Sequence, residues 1–198
     1  MNLILASQSP SRRAMLTAAG IAFEAMAPGV DEDSAKAAFR ADGLTARALA
    51  DALAELKATK LSQRHPTAFV LGCDQTLERD DGVMFDKPEG RDDAATQLRL
   101  LSGRTHRLLT AAVICEGGRP IWRHVETARL KMRTLSDRFI DSYLDAEWPA
   151  ISGCVGCYRI EGLGIQLFAS VDGDHFTILG LPLVALSTFL RTRGMLAE

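Results

Sequence analysis

The chain has 198 residues, 47% hydrophobic and 24% charged, the make-up of an ordinary soluble globular protein. A formal net charge of −2 argues against a general nucleic-acid binder, which carries a basic surplus, and two Trp with two Tyr give little for an RNA module to stack on. No apolar run approaches the ~20 residues that span a bilayer, so no membrane partner is expected.

Met1-Asn2 runs straight into a short apolar stretch, Leu3-Ile4-Leu5, which reads as a buried strand with no signal peptide ahead of it. A cytoplasmic protein is therefore expected, with Cys73, Cys115, Cys154 and Cys157 as free thiols. Cys154 and Cys157 have C-x-x-C spacing but no second ligand pair, and read as small buried side chains rather than a zinc or redox site. After the strand, Ser9-Pro10 reads as a helix N-cap followed by proline in the first helical position. The helix is expected over Pro10–Ala19, ended by Gly20. Arg12 and Arg13 fall in its first turn, the wrong end for cations in the helix dipole. Two guanidiniums, the hydroxyls of Ser7 and Ser9 and free backbone N–H groups gathered there form a site suited to a phosphate.

Ile21–Met26 alternates and predicts a second strand. Val30-Asp31-Glu32-Asp33 reads as an acidic loop after Pro28-Gly29, either a solvated turn or a segment in which Glu32 or Asp31 helps hold a divalent cation. Thr45 caps a long helix to about Gln63 with Leu49, Leu53 and Leu56 on one face; Lys57 and Lys60 near its far end read most simply as solvated. Ala68–Leu71 is a central strand buried on both faces. Asp74 follows in Gly72-Cys73-Asp74-Gln75, at what reads as the strand exit, where open α/β sheets place ligand contacts. A hairpin joins Thr76–Arg79 to Val83–Phe85 through Asp80-Asp81-Gly82. Lys87, ahead of Pro88 in an extended backbone, is better aimed than a lysine on a helix surface.

A helix is expected over Arg91–Leu101, a strand over Leu108–Cys115, a turn at Gly117-Gly118, a strand over Ile121–Arg133 and a helix from Ser136 to about Ala146. The glycine-rich stretch Gly153–Gly164, which contains Glu161, suits close approach to a ligand. Ile165–Phe168 and Phe176–Leu179 read as strands, and Gly180-Leu181-Pro182 starts the last helix. His106 reads as a structural residue rather than a catalytic one. Cations from Arg12, Arg13, Lys57 and Lys87, with carboxylates from Glu32 and Asp74 and, as further candidates, Asp31 and Glu161, are the parts that hydrolysis of a phosphate ester or anhydride requires.

Leu5-Ala6-Ser7-Gln8-Ser9-Pro10-Ser11-Arg12-Arg13, Val30-Asp31-Glu32, Lys57-Ala58, Gly72-Cys73-Asp74-Gln75, Asp86-Lys87-Pro88, Leu101–His106, Glu161-Gly162 and Gly180-Leu181-Pro182-Leu183 resemble, in order, the Maf family of nucleotide pyrophosphatases. The resemblance implies one domain over residues 1–198, an α/β fold of the inosine-triphosphatase type with a mixed twisted sheet, flanking helices and two lobes around a deep cleft. It implies hydrolysis of a nucleoside triphosphate to the monophosphate and pyrophosphate with a divalent cation, Mg²⁺ or Mn²⁺. Asp74 matches the family's proton acceptor; Glu32 and Asp74 would hold the metal; Ser7, Ser9, Arg12, Arg13, Lys57 and Lys87 would bind substrate; Ser11, Gln75 and Glu161 match positions that set specificity. Asp74-Gln75 resembles the branch acting on 7-methyl-GTP, whereas Ser11 departs from the bulky aromatic found there. The resemblance also suggests a homodimer. The alternative is a non-catalytic nucleotide-binding regulator of septum formation and cell division.

Overall fold

Alternation along the first strand sets the layers of the fold. In the computed structural model, which describes residues 2–197, β1 (Leu3–Ala6) is buried throughout. Leu3 and Leu5 pack with Phe69, Leu71 and Cys73; Ile4 and Ala6 enter a second core with Val70, Ala111 and Val113. A strand covered on both faces belongs inside an α/β sheet. β1 accordingly pairs in parallel with β2 (Glu24–Ala25) on one side and β3 (Phe69–Arg79) on the other. The remaining strands are β4 (Met84–Phe85), β5 (Thr105–Glu116), β6 (Arg119–Met132) and β7 (Phe168–Asp172). They complete a seven-stranded sheet of order β2-β1-β3-β5-β6-β7, with β4 antiparallel on β3. This is the mixed α/β sheet with flanking helices that the sequence predicts.

The chain forms two compact units. The first holds the stretch up to Gln75, Thr110–Glu126 and the stretch from Asp174 onward; the second holds Thr76–Leu109 and Thr127–Gly173. In the first, α1 (Pro10–Ala18) and α7 (Leu183–Thr192) supply Met15, Leu16, Leu186 and Leu190 to one core. α3 (Ala46–Ser62) supplies Ala50, Ala54, Ala58 and Leu61 to the other. The predicted caps are in place: Ser9 accepts from the Arg12 N–H at 3.4 Å, and Thr45 from the Ala48 N–H at 3.3 Å. In the second unit α4 (Arg91–Leu101) packs on α5 (Asp137–Glu147), which Ser136 caps. The C-terminal part of β6 alternates exposed Thr127 and Arg129 with buried Ala128 and Leu130 and pairs antiparallel with β7.

Four expectations are corrected. β2 is only Glu24–Ala25, because the Ile21 N–H turns back to the Leu16 carbonyl at 3.0 Å and carries Ile21 into the core behind α1. The acidic loop is the start of a helix, α2 (Glu32–Ala41). Asp31 caps it, accepting from the Ser34 N–H at 3.1 Å and the Ser34 hydroxyl at 2.8 Å. The strands expected at Ala68–Leu71 and Thr76–Arg79 are one, so Asp74 lies inside a strand and not at its exit; pairing of Leu77 with Phe85 carries the ladder onward. The strands expected at Ile165–Phe168 and Phe176–Leu179 are a 3₁₀ turn over Leu163–Leu167, followed by β7, and a short helix, α6 (His175–Ile178), which Asp174 caps through the Thr177 N–H at 2.9 Å.

His106 is fully buried on β5, its Nε2 2.8 Å from the Tyr158 hydroxyl and its ring beside Phe168. Burial holds its pKa down at about 4, against 6.5 for a free side chain. The unfolded chain therefore takes up a proton that the folded chain refuses. Stability from this group is whole above pH 6.5 and is lost as pH falls toward 4. The melting temperature should drop over that window, and the slope should shrink by about one proton in His106→Gln, as read by differential scanning calorimetry.

Candidate functional site

The period of two along β3 puts Val70, Gly72 and Asp74 on one face, the face covered by α3. Gly72 permits that cover to come close: a Cβ there would stand 2.1 Å from the Ala54 carbonyl oxygen and 2.8 Å from the Ala58 nitrogen. Lys57 follows Ala54 on the same side of α3 at a spacing of three and is thereby delivered to Asp74. Its Nζ donates to Asp74 Oδ1 at 2.7 Å and lies 2.8 Å from Glu32 Oε2 at the start of α2. Lys57 is only 4% exposed and Asp74 9%. A lone charge at such burial costs several kcal/mol, so Lys57 and Asp74 hold each other in place, and Glu32, its side chain 44% exposed, joins the pair through Lys57. The solvated role expected for Lys57 is overturned, and of the two acids Asp31 and Glu32 it is Glu32 that reaches the cluster.

Arg12 comes to the same region from the first turn of α1, which the loop after β1 leads into. Pairing of Ala6 with Gly72 sets that loop beside Cys73 and Asp74. Its Nε donates to the Gly180 carbonyl at 2.7 Å and its Nη1 to the Ser7 hydroxyl oxygen at 3.2 Å. Gly180 sits at φ +100, and a Cβ there would meet the Arg12 guanidinium at 3.4 Å. Burial pushes the Cys73 thiol up to about 11, while Arg12 and Lys57 both pull it back, so both cations stand close to this one residue beside Asp74. Ser9 caps α1, Ser11 is half-buried and Arg13 is exposed.

Gln75 points its amide nitrogen into the first unit. Nε2 donates to Thr110 Oγ1 at 2.8 Å, the Thr177 carbonyl at 3.0 Å and the Ile178 carbonyl at 3.2 Å. Lys87 and Glu161 belong to the second unit, where both are exposed and both act on the half-buried Cys154 thiol, which burial raises. All four cysteines are free. Gly72, the Gly180 carbonyl, Thr110 and Thr177 escape sequence reasoning as working parts of the site; only the motifs Gly72-Cys73-Asp74-Gln75 and Gly180-Leu181-Pro182-Leu183 contain two of them. Among the described residues no group of three or more His, Cys, Asp or Glu is placed to hold a metal. The pair Asp74 and Glu32 offers hard oxygen donors, which fits a Mg²⁺ or Mn²⁺ ion that takes its other ligands from phosphate and water.

A family-wide sequence profile described as Maf-like protein matches residues 2–193. The chain belongs to the Maf-like family. Its curated relatives include a nucleoside triphosphate pyrophosphatase from Sphingopyxis alaskensis, 52% identical over 98% of both chains. Nucleoside triphosphate pyrophosphatase 1 of Jannaschia sp. is 50% identical over 98% of both chains. That of Caulobacter vibrioides is 50% identical over 97% of this chain and 96% of its own. The opening and closing motifs of this Maf-like chain meet in one contact, Arg12 on the Gly180 carbonyl.

Gly72→Ala should destabilise the protein by about 1–3 kcal/mol or more, as overpacking does, because its methyl meets backbone atoms of α3 that cannot rotate away. Urea denaturation followed by circular dichroism checks this; an unchanged midpoint would show that α3 does not need the close approach.

Proposed function

We propose that this chain hydrolyses a nucleoside triphosphate between the α and β phosphates, releasing the monophosphate and pyrophosphate. The observation that carries the reading is the buried Lys57 ammonium with Asp74 at 2.7 Å and Glu32 at 2.8 Å. The names of relatives at about half identity agree with it. An ammonium has three N–H donors; two face carboxylates here, which leaves a third for a phosphate oxygen. Arg12, steadied by Ser7 and the Gly180 carbonyl, adds a second fixed positive charge, placed for electrostatic stabilisation of a leaving pyrophosphate. Asp74 accepts the proton of the attacking water. Asp74 and Glu32 would hold the divalent cation, which when bound supplies Lewis-acid charge to the phosphates. Lys87, Glu161, Ser11, Ser9 and Arg13 stay in the reading as substrate-side groups on the strength of the resemblance.

The test is pyrophosphate release from a nucleotide panel, including 7-methyl-GTP, with Mg²⁺ or Mn²⁺. Asp74→Asn should lower turnover by ~10²–10⁴-fold, as loss of a general base does, with the native circular dichroism spectrum kept under assay conditions although loss of the pair with Lys57 lowers the unfolding midpoint. Full activity in that variant removes Asp74 from the chemistry. A parent that binds nucleotides and releases no pyrophosphate contradicts the reading and favours the regulator.

A further inference from the structure

We infer that Thr110 and Thr177 are positioning residues that hold the Gln75 amide in one orientation, so that it meets the nucleoside half of the substrate as a hydrogen-bond acceptor only. This rests on the nucleotide reading above. Thr110 and Thr177 are fully buried, although both carry hydroxyls. The single hydroxyl proton of Thr110 is directed to the Thr177 carbonyl at 2.8 Å, so its oxygen can only accept from Gln75 Nε2, at 2.8 Å. The two Nε2 hydrogens are then shared among Thr110 Oγ1 and the carbonyls of Thr177 and Ile178. Two of those acceptors are backbone carbonyls, which fixes the identity of the amide nitrogen: a flipped amide would set oxygen against oxygen. Thr177 is itself anchored, its N–H on Asp174 Oδ2 at 2.9 Å and its hydroxyl within 2.9 Å of Glu126 Oε2 and 3.2 Å of Asp174 Oδ2.

Among the described residues Gln75 Oε1 has no partner, and the Thr177 and Ile178 carbonyls that hold its amide lie just ahead of Gly180, whose carbonyl holds Arg12. A carbonyl oxygen repels phosphate oxygens, so the group it addresses is a donor on the nucleoside: a base N–H or a ribose hydroxyl. The network removes the ambiguity of a glutamine, which when free to turn over can either donate or accept. Selection between nucleosides then depends on residues that do not themselves touch the substrate.

Isothermal titration with non-hydrolysable α,β-methylene triphosphates of the four bases and of 7-methylguanine, and with their 2′,3′-dideoxy counterparts, tests this in the parent, Thr110→Val and Thr110→Ser. In Thr110→Val the tightest-binding nucleotide should weaken about tenfold, the scale of one hydrogen bond. The spread of affinities across the panel should narrow, and Thr110→Ser should restore it. Narrowing across bases assigns the donor to the base; narrowing between ribo and dideoxy forms assigns it to the sugar. Equal weakening of every ligand, or parent-like discrimination in Thr110→Val, overturns the proposal, as does a parent that binds none of them. Because binding is measured, a chain that discriminates nucleotides without hydrolysing them upholds this inference and sinks only the enzymatic reading.

Discussion

The site depends on one buried ion pair, Lys57 with Asp74, which the partly exposed Glu32 joins. Lys57 has almost no contact with solvent, and an ammonium there is tolerable only because two carboxylates face it. The dependence runs in both directions. Asp74 lies on an inner strand, where an uncompensated carboxylate would be as costly as an uncompensated lysine. Glu32 stands on α2, a helix that packs on α3 with no fully buried residue; its ion pair with Lys57 adds a second tie between the two helices. Small residues make the cluster possible. Ala54, Ala58 and Gly72 bring α3 onto β3, and the length of a lysine side chain then spans the gap.

A second anchor joins the two ends of the chain. Arg12 lies in the first turn of α1, where the helix dipole disfavours a cation. The Gly180 carbonyl and the Ser7 hydroxyl offset that by accepting two of its N–H groups. Gly180 reaches this position through a positive φ that other residues adopt poorly. A cation fixed against its own dipole is ready for an anion that both the helix terminus and the guanidinium attract. Lys57 and Arg12 thus bring positive charge from two elements to the surroundings of Cys73 and Asp74.

Features with a local chemical signature were legible in the sequence. Ser9-Pro10, Thr45 and Ser136 each mark a helix start, and each does cap one. What failed had no local signature or a misleading one. α2 has apolar residues at helix spacing, Ala35, Ala38 and Phe39, but it opens on an acidic run after Pro28-Gly29, so its capping Asp31 passes for one more acid in a loop. β3 was divided in two at Gly72 and Asp74, the residues that interrupt its apolar run; their presence inside a continuous strand follows from α3, which needs a glycine to approach and a carboxylate to meet Lys57. The segment from Asp174 to Ile178 has strand-like composition, but a capping aspartate decides it as a helical turn. The candidate residues themselves were found through motifs. Their linkage was not: nothing local says that Lys57 is buried, or that the Gln75 amide nitrogen faces the carbonyls of Thr177 and Ile178.

The most direct measurement of the central claim is a double-mutant cycle for stability on Lys57→Met and Asp74→Asn. If the ammonium and the carboxylates neutralise each other inside the protein, Lys57→Met alone should destabilise by about 3–5 kcal/mol, since it strands Asp74 as an unpaired buried charge. Adding Asp74→Asn should recover a clear part of that loss, giving a coupling of about 1 kcal/mol or more. Strictly additive effects, or a Lys57→Met protein as stable as the parent, would contradict the account.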